Sequence, residues 1–155
     1  MSDHFLDTSA LAKHYHSEKG TNEVDSIWND TNSRLFISTL SSLEIISAFA
    51  GKVRAGTISK DEFELLRRRF CTDIAQRRLL HVRITGLHYK SAEQLLRQHG
   101  FNHRLRTLDA LQLSVVLSLR NRGVTCRFVC SDSSLVEVAR IEGLPVLQPG
   151  SQSSS

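Results

Sequence analysis

The chain has 155 residues, 40% of them apolar and 23% charged, with 20 Lys and Arg against 16 Asp and Glu for a formal charge of +4. That is the size and composition of one globular domain, able to bury roughly 70% of its unfolded surface without disulfides or a structural metal. No apolar run approaches the roughly 18 residues of a membrane span, and Met1-Ser2-Asp3-His4 has neither the basic nor the apolar stretch of a secretory leader, so the expected location is the cytoplasm, with no membrane contact.

Apolar periodicity and Gly/Pro punctuation divide the chain into short strands and longer helices. His4 to Asp7 reads as a first strand. Thr8 or Ser9 then caps a helix to about His16, and a second helix spans Thr21 to Asn29 with Val24, Ile27 and Trp28 on one face. Leu35 to Ser38 is a second strand, followed by a helix from about Thr39 to Arg54 that Gly56 stops. Ser59 and Glu62 form a capping-box pattern, opening a helix striped by Phe63, Leu66, Phe70 and Ile74. Leu79 to Ile84 is a strand, and Leu87 to Gln98 a helix ended by Gly100. Thr107 caps a helix from Leu108 to Arg120, ended by Gly123. Arg127 to Cys130 is a strand, Ser133 to Ile141 a helix ended by Gly143, and Leu144 to Leu147 the last strand.

Strands separated by helices of this length are not hairpins. The expected fold is therefore α/β, a three-layer α/β/α sandwich on a mainly parallel central sheet of about five short strands. One domain is expected over residues 1–149 and a disordered tail over residues 150–155.

Charge is unevenly spread. Lys52 to Arg106 carries 13 basic and 5 acidic residues, while the remainder carries 7 and 11, and 15 of the 20 cations are arginine. Arginine's planar fork suits phosphate, so a polyanionic partner is plausible, although Arg67-Arg68-Arg69 and Arg77-Arg78 also read as the solvated face of a helix. The odd set Cys71, Cys126 and Cys130 reads as reduced, buried thiols. The seven histidines lack ligand spacing and read as non-ligands.

Ligands of parallel sheets bind at the carboxyl ends of the strands, and aspartates stand there. Asp7 closes the first strand and Asp132 a later one. Glu44 lies in the first turns of the helix after the second strand, and Asp109 in the first turn of another helix. Each has a structural alternative: a turn or cap for Asp7 and Asp132, a dipole partner for Asp109, a capping box for Ser41 with Glu44. Gathered in one cleft, like charges resist ionisation and call for a cation. Oxygen donors without Cys or His favour Mg²⁺ or Mn²⁺, and two such ions suit phosphodiester hydrolysis without a protein nucleophile.

The segments Phe5-Leu6-Asp7-Thr8-Ser9-Ala10-Leu11, Ser38 to Glu44, Leu105 to Leu113 and Val129-Cys130-Ser131-Asp132 resemble the four acidic motifs of the PIN-domain family, and more narrowly a VapC-type toxin of a bacterial toxin–antitoxin pair. The resemblance runs from about Asp3 to Pro149. It implies a Mg²⁺- or Mn²⁺-dependent endoribonuclease, with RNA as substrate, a homodimer, and inhibition by a cognate antitoxin whose tail lies across the active cleft. Asp7, Glu44, Asp109 and Asp132 would be the catalytic acids that hold the metals, two ions per site when substrate is bound. Thr8, Ser9 and Ser131 would support them by hydrogen bonds. Gln112 is a departure, because relatives often carry histidine there. Arg104 and Arg106 are the candidates for RNA phosphate contact.

Two alternatives remain at the level of sequence. One is a non-catalytic basic RNA- or protein-binding module in which the acids are caps. The other, a phosphatase of the haloacid dehalogenase type, needs a second acid two residues after Asp7, where Ser9 stands.

Overall fold

A computed structural model describes residues 2–151. Within them the order is β1 (Ser2–Leu6), α1 (Thr8–Tyr15), α2 (Thr21–Asn29), β2 (Ser33–Ser38), α3 (Ser41–Arg54), α4 (Lys60–Ala75), β3 (Leu80–Val82), α5 (Gly86–His99), α6 (Thr107–Asn121), β4 (Arg127–Val129), α7 (Ser133–Ile141) and β5 (Val146–Leu147). Helical crossovers force parallel pairing. The sheet is parallel throughout, in the order β3-β2-β1-β4-β5, with Phe5 beside Phe36 on one side and Phe128 on the other.

Successive strand residues point to opposite faces, and the core divides accordingly. Phe5, Phe36 and Phe128 pack with the apolar faces of α5, α6 and α7, whereas Leu6, Leu35, Ile37 and Val129 pack with α1 to α4. The result is the three-layer sandwich expected from the sequence. Helix α6 is sunk deepest: Ala110, Leu111, Leu113, Val115, Val116 and Leu119 are all buried. Each larger member of that set contributes about 1.5–3 kcal/mol by leaving water.

The chain builds the sheet outward from β1 to β3, then crosses back to lay β4 on the other side of β1. Strand order reverses between β1 and β4. Open α/β sheets bind ligands in the crevice at that point, beyond the carboxyl ends of the strands. Asp7 follows β1 directly, and Asp132 follows β4 after two residues.

Several local expectations are corrected. Asp7, not Thr8 or Ser9, occupies the cap position of α1, and Arg106, not Thr107, precedes α6; neither makes a side-chain capping bond. The hydroxyls of Thr8 and Ser9 are engaged instead with acidic side chains. The box of Ser59 and Glu62 does form. Gly100 ends α5 at φ −65°, an ordinary helical value. Glycine is required there because a Cβ would collide with the Leu96 carbonyl oxygen. Cys126 and Cys130 are buried, but Cys71 is exposed, since α4 buries only Leu66 and Phe70.

After β5 the chain returns to α2. Gly20, at φ +94°, passes so close that a Cβ would meet Gly150 N at 2.8 Å. Of the expected tail, Gly150 and Ser151 pack here, the Gly150 N–H lying 3.5 Å from a Glu23 carboxylate oxygen and the Ser151 N–H 3.2 Å from the Gln148 carbonyl. Residues 152–155 lie outside the described residues.

Candidate functional site

Asp7 is only 7% exposed. Its Oδ2 accepts from Ser9 Oγ at 2.9 Å and faces Cys130 Sγ at 3.5 Å, and among the described residues no Lys or Arg pairs with it. Burial pushes its carboxyl above the ordinary range and the Glu44 charge adds to this, while the Ser9 and Cys130 contacts pull the other way. Ser9 is itself held by the Ser131 backbone N–H at 3.2 Å, so the first turn of α1 and the segment after β4 are tied together beside the acid.

Glu44 projects from the first turn of α3. Ser41 is already inside that helix, Leu40 precedes it, and no capping box forms. Glu44 Oε1 instead accepts from Thr8 Oγ1 at 2.9 Å and from Gln112 Nε2 at 3.1 Å. Burial raises its carboxyl, the two hydrogen bonds lower it, and the nearby Asp109 charge raises it again. Asp109 is raised by burial and by the charges of Asp7 and Asp132, with Arg106 opposing. The acids therefore sense one another across the reversal point, as a shared cleft requires.

Asp132 serves two purposes. Its Oδ1 caps α7, accepting from the N–H groups of Ser134 at 2.9 Å and Leu135 at 3.1 Å, so the structural alternative holds for this residue. Its Oδ2 lies 3.5 Å from Arg106 Nη2, and Arg106 Nε lies 3.6 Å from Asp109 Oδ2. Arg106 thus joins the acidic set as its cation, with a side chain still 69% exposed. Arg104 is exposed and pairs with none of the acids.

Of the three expected supporting residues, Ser9 holds Asp7 and Thr8 holds Glu44. The Ser131 hydroxyl instead faces the Pro149 carbonyl at 3.5 Å, and only its backbone N–H serves the site, through Ser9. Gln112, Ser38, Ser41 and Cys130, which the sequence does not single out as supports, join the same network. Gln112 is one helical turn after Asp109, a spacing that puts both on one face of α6, which is the signal that could have found it. The arginine run is partly engaged within the chain: Arg67 pairs with Glu64, Arg69 lies over Tyr15 and Arg78 over Trp28.

Among the described residues no group of three or more His, Cys, Asp or Glu side chains is placed to hold a metal ion as a protein-only site. A hard divalent cation does not need one, because Mg²⁺ is commonly held by one or two carboxylates plus water and substrate oxygens. The donors present are all carboxylate oxygens, three of them raised in pKa and two, Asp7 and Glu44, without a cationic partner. That chemistry fits Mg²⁺ or Mn²⁺ better than a closed thiolate or imidazole site. Beside the acids a groove of about 910 Å³ runs between α1 and α3, floored by Leu40, Leu43 and Leu108 and flanked by Lys13, Lys52 and Arg54.

The fold recurs in solved structures. A VapBC2 complex from Rickettsia felis bound to a promoter DNA fragment is 16% identical, over 95% of this chain and 98% of that one, with a TM-score of 0.62. A toxin–antitoxin complex from Klebsiella pneumoniae is 14% identical, over 94% and 97%, at TM-score 0.57. FitAcB from Neisseria gonorrhoeae is 14% identical, over 94% and 96%, at TM-score 0.60. No curated protein matches the sequence at a significant level. Among the described residues no helix is long and apolar enough to cross a membrane. The family model for the PIN domain matches residues 4–141, which include all four acids at the sheet's carboxyl edge, and the chain belongs to that family.

Proposed function

We propose that the protein is a Mg²⁺- or Mn²⁺-dependent endoribonuclease and the toxin of a toxin–antitoxin pair. The observation that carries this reading is Asp7: a buried carboxylate at the strand-order reversal, supported by neutral donors alone and facing like charges from Glu44 and Asp109. A fold has no use for such a group, whereas a cation site does.

In this reading Asp7, Glu44, Asp109 and Asp132 would hold the cation, two ions with RNA bound, and would orient water at the scissile phosphate. When bound, the metal supplies Lewis acidity toward the phosphate and the departing 3′ oxygen. Ser9 fixes Asp7 and Thr8 fixes Glu44, so neither carboxylate turns away from the cleft. Arg106, its side chain 69% exposed, would exchange its carboxylate partners for an RNA phosphate as substrate enters. Arg104 lies two residues away for a second phosphate contact.

The similar structure from Klebsiella pneumoniae is a toxin–antitoxin complex, and the groove beside the acids supports the same kind of partner here. Leu43 is 73% exposed and Leu108 46%, an apolar surface open to a segment of antitoxin whose acidic residues would meet Arg54, while Lys13 and Lys52 are paired with Glu18 at 3.4 and 3.6 Å. A homodimer belongs to the same reading; Leu87 and Tyr89, exposed at the start of α5, offer it apolar surface.

The test is cleavage of total cellular RNA by purified protein with Mg²⁺, Mn²⁺ or EDTA, beside Asp7→Asn. Discrete metal-dependent fragments that vanish in the variant are expected. Intact RNA with a folded, partner-free wild-type protein would favour the non-catalytic binding module.

A further inference from the structure

Gln112 is 1% exposed in a helix whose other buried side chains are apolar except Ser114. A leucine or methionine of similar size would fill that space without polar atoms to satisfy, so the amide needs a reason. Its partners supply one. Oε1 accepts from Ser38 Oγ at 2.6 Å, while Nε2 lies 3.1 Å from Glu44 Oε1, 3.0 Å from Ser41 Oγ and 3.4 Å from Thr8 Oγ1.

The orientation of the amide follows from these contacts. Turned the other way, its carbonyl oxygen would face the Glu44 carboxylate, acceptor against acceptor. The acceptor-only Glu44 carboxylate therefore sets Nε2 on its side, and the Ser38 hydroxyl at the end of β2 donates to Oε1 and anchors the other end of the amide. With Thr8 also donating, Glu44 Oε1 receives two hydrogen bonds, and Oε2 makes none among the described residues.

We infer that Gln112 is a positioning residue for Glu44: it turns Oε1 inward and leaves Oε2 for the cation and its water. The inference rests on the nuclease reading. Its physical point is the neutrality of the donor. Asp109 repels Glu44, and an unrestrained side chain on the first turn of α3 would swing toward solvent. A Lys or Arg at position 112 would hold Glu44 equally well but would cancel the charge that draws a divalent cation. Glutamine holds the carboxylate and leaves the site's negative charge whole. It also links four elements, β2 through Ser38, α1 through Thr8, α3 through Ser41 and Glu44, and α6 through itself.

The experiment compares wild type, Gln112→Leu, Glu44→Gln and the double variant. Mn²⁺ affinity is read by electron paramagnetic resonance titration, and RNA cleavage by kcat and KM separately. Gln112→Leu should bind Mn²⁺ about tenfold more weakly and lose roughly 10- to 100-fold in kcat with KM for RNA unchanged, the range seen when the outer partners of metal ligands are removed. In the Glu44→Gln background the same change should add less than about twofold, because a residue acting through Glu44 has nothing left to act on.

Wild-type affinity and kcat in Gln112→Leu, or additive losses in the double variant, would overturn the inference while the nuclease reading stood. A wild-type chain that binds Mn²⁺ but leaves RNA intact would sink the nuclease reading, and the positioning role would be decided by the binding constants. A wild-type chain that does neither overturns both. Should Gln112→Leu fail to fold, Ser38→Ala removes only the bond that anchors the carbonyl end of the amide. It should weaken Mn²⁺ binding roughly threefold, the effect of one neutral hydrogen bond, and unchanged binding would count against the inference.

Discussion

Asp7→Asn should make the fold more stable while abolishing turnover. The asparagine carbonyl can take the place of Oδ2 and keep the contacts from Ser9 Oγ at 2.9 Å and Cys130 Sγ at 3.5 Å. What disappears is a buried charge and its repulsion by Glu44 and Asp109. Relief of an uncompensated buried polar group is worth on the order of 1–3 kcal/mol. For a chain of this length each kcal/mol moves Tm by about 2–4 °C, giving a gain of roughly 2–12 °C at pH 7.5. The sign of the pH dependence is set by the direction of the shift. A carboxyl raised in the folded state above its ordinary 3.8 favours folding when protonated; that contribution is complete below the ordinary value and is lost as pH rises through the folded one. The advantage of Asp7→Asn should thus be near zero at about pH 4 and grow toward neutrality. Differential scanning calorimetry from pH 4 to 8 measures it. Mn²⁺ should raise the Tm of wild type, by about 2.7 kcal/mol of stabilisation at 100 times its Kd, and should raise that of the variant much less, since both relieve the same repulsion. A variant less stable than wild type at neutral pH, or a Tm gap independent of pH, would refute the claim that Asp7 is a strained site residue.

Asp132→Ala should behave oppositely, losing about 0.5–2 kcal/mol in thermal melts because the cap on Ser134 and Leu135 goes with it. A neutral result would mean that the cap contributes nothing to α7. Arg106→Gln, made in the Asp7→Asn background so that RNA stays intact, should lower the slope of log affinity against log salt by about 1 in fluorescence anisotropy. It should change stability by less than about 1 kcal/mol, given its exposure. Alkylation of the native protein should modify one thiol, Cys71, and three after denaturation, read by intact mass; fast modification of Cys126 or Cys130 would contradict their burial.

The fold was legible because its signals are local and repeated. Each short apolar run ended near Gly, Asp or Ser, and each helix carried its own stripe, so the parallel sheet followed from connection lengths alone. The helix starts were not legible in the same way. Thr8 and Ser9 look like caps, yet their hydroxyls serve Glu44 and Asp7, a tertiary use that overrides the local one. Cys71 was misplaced because a cysteine in a helix says nothing of which side it faces; the stripe of Leu66 and Phe70, four residues apart, turns Cys71 outward. The four acids were legible from strand ends and motif order. Their support was harder: the partners of Gln112 stand 68 to 104 residues away in sequence, at Ser41, Glu44, Thr8 and Ser38.

The distinction between a cap and a site acid now rests on geometry. If the acids existed to cap helices, each would accept from the first backbone N–H groups of a helix. Only Asp132 does so, and only through Oδ1. Asp7 occupies a cap position without making the bond, Glu44 lies inside α3, and Asp109 lies inside α6. Three carboxylates are thus held in partly or fully buried places by hydroxyl, thiol and amide groups, or beside one exposed arginine and its backbone N–H, and whatever they lend to the first turns of α1, α3 and α6 leaves desolvation dominant, with all three raised. A binding module would gain by replacing them with neutral residues. Their retention, together with donors that orient Asp7 and Glu44 without neutralising them, is the pattern of a site that stays electrostatically unsatisfied until a cation arrives.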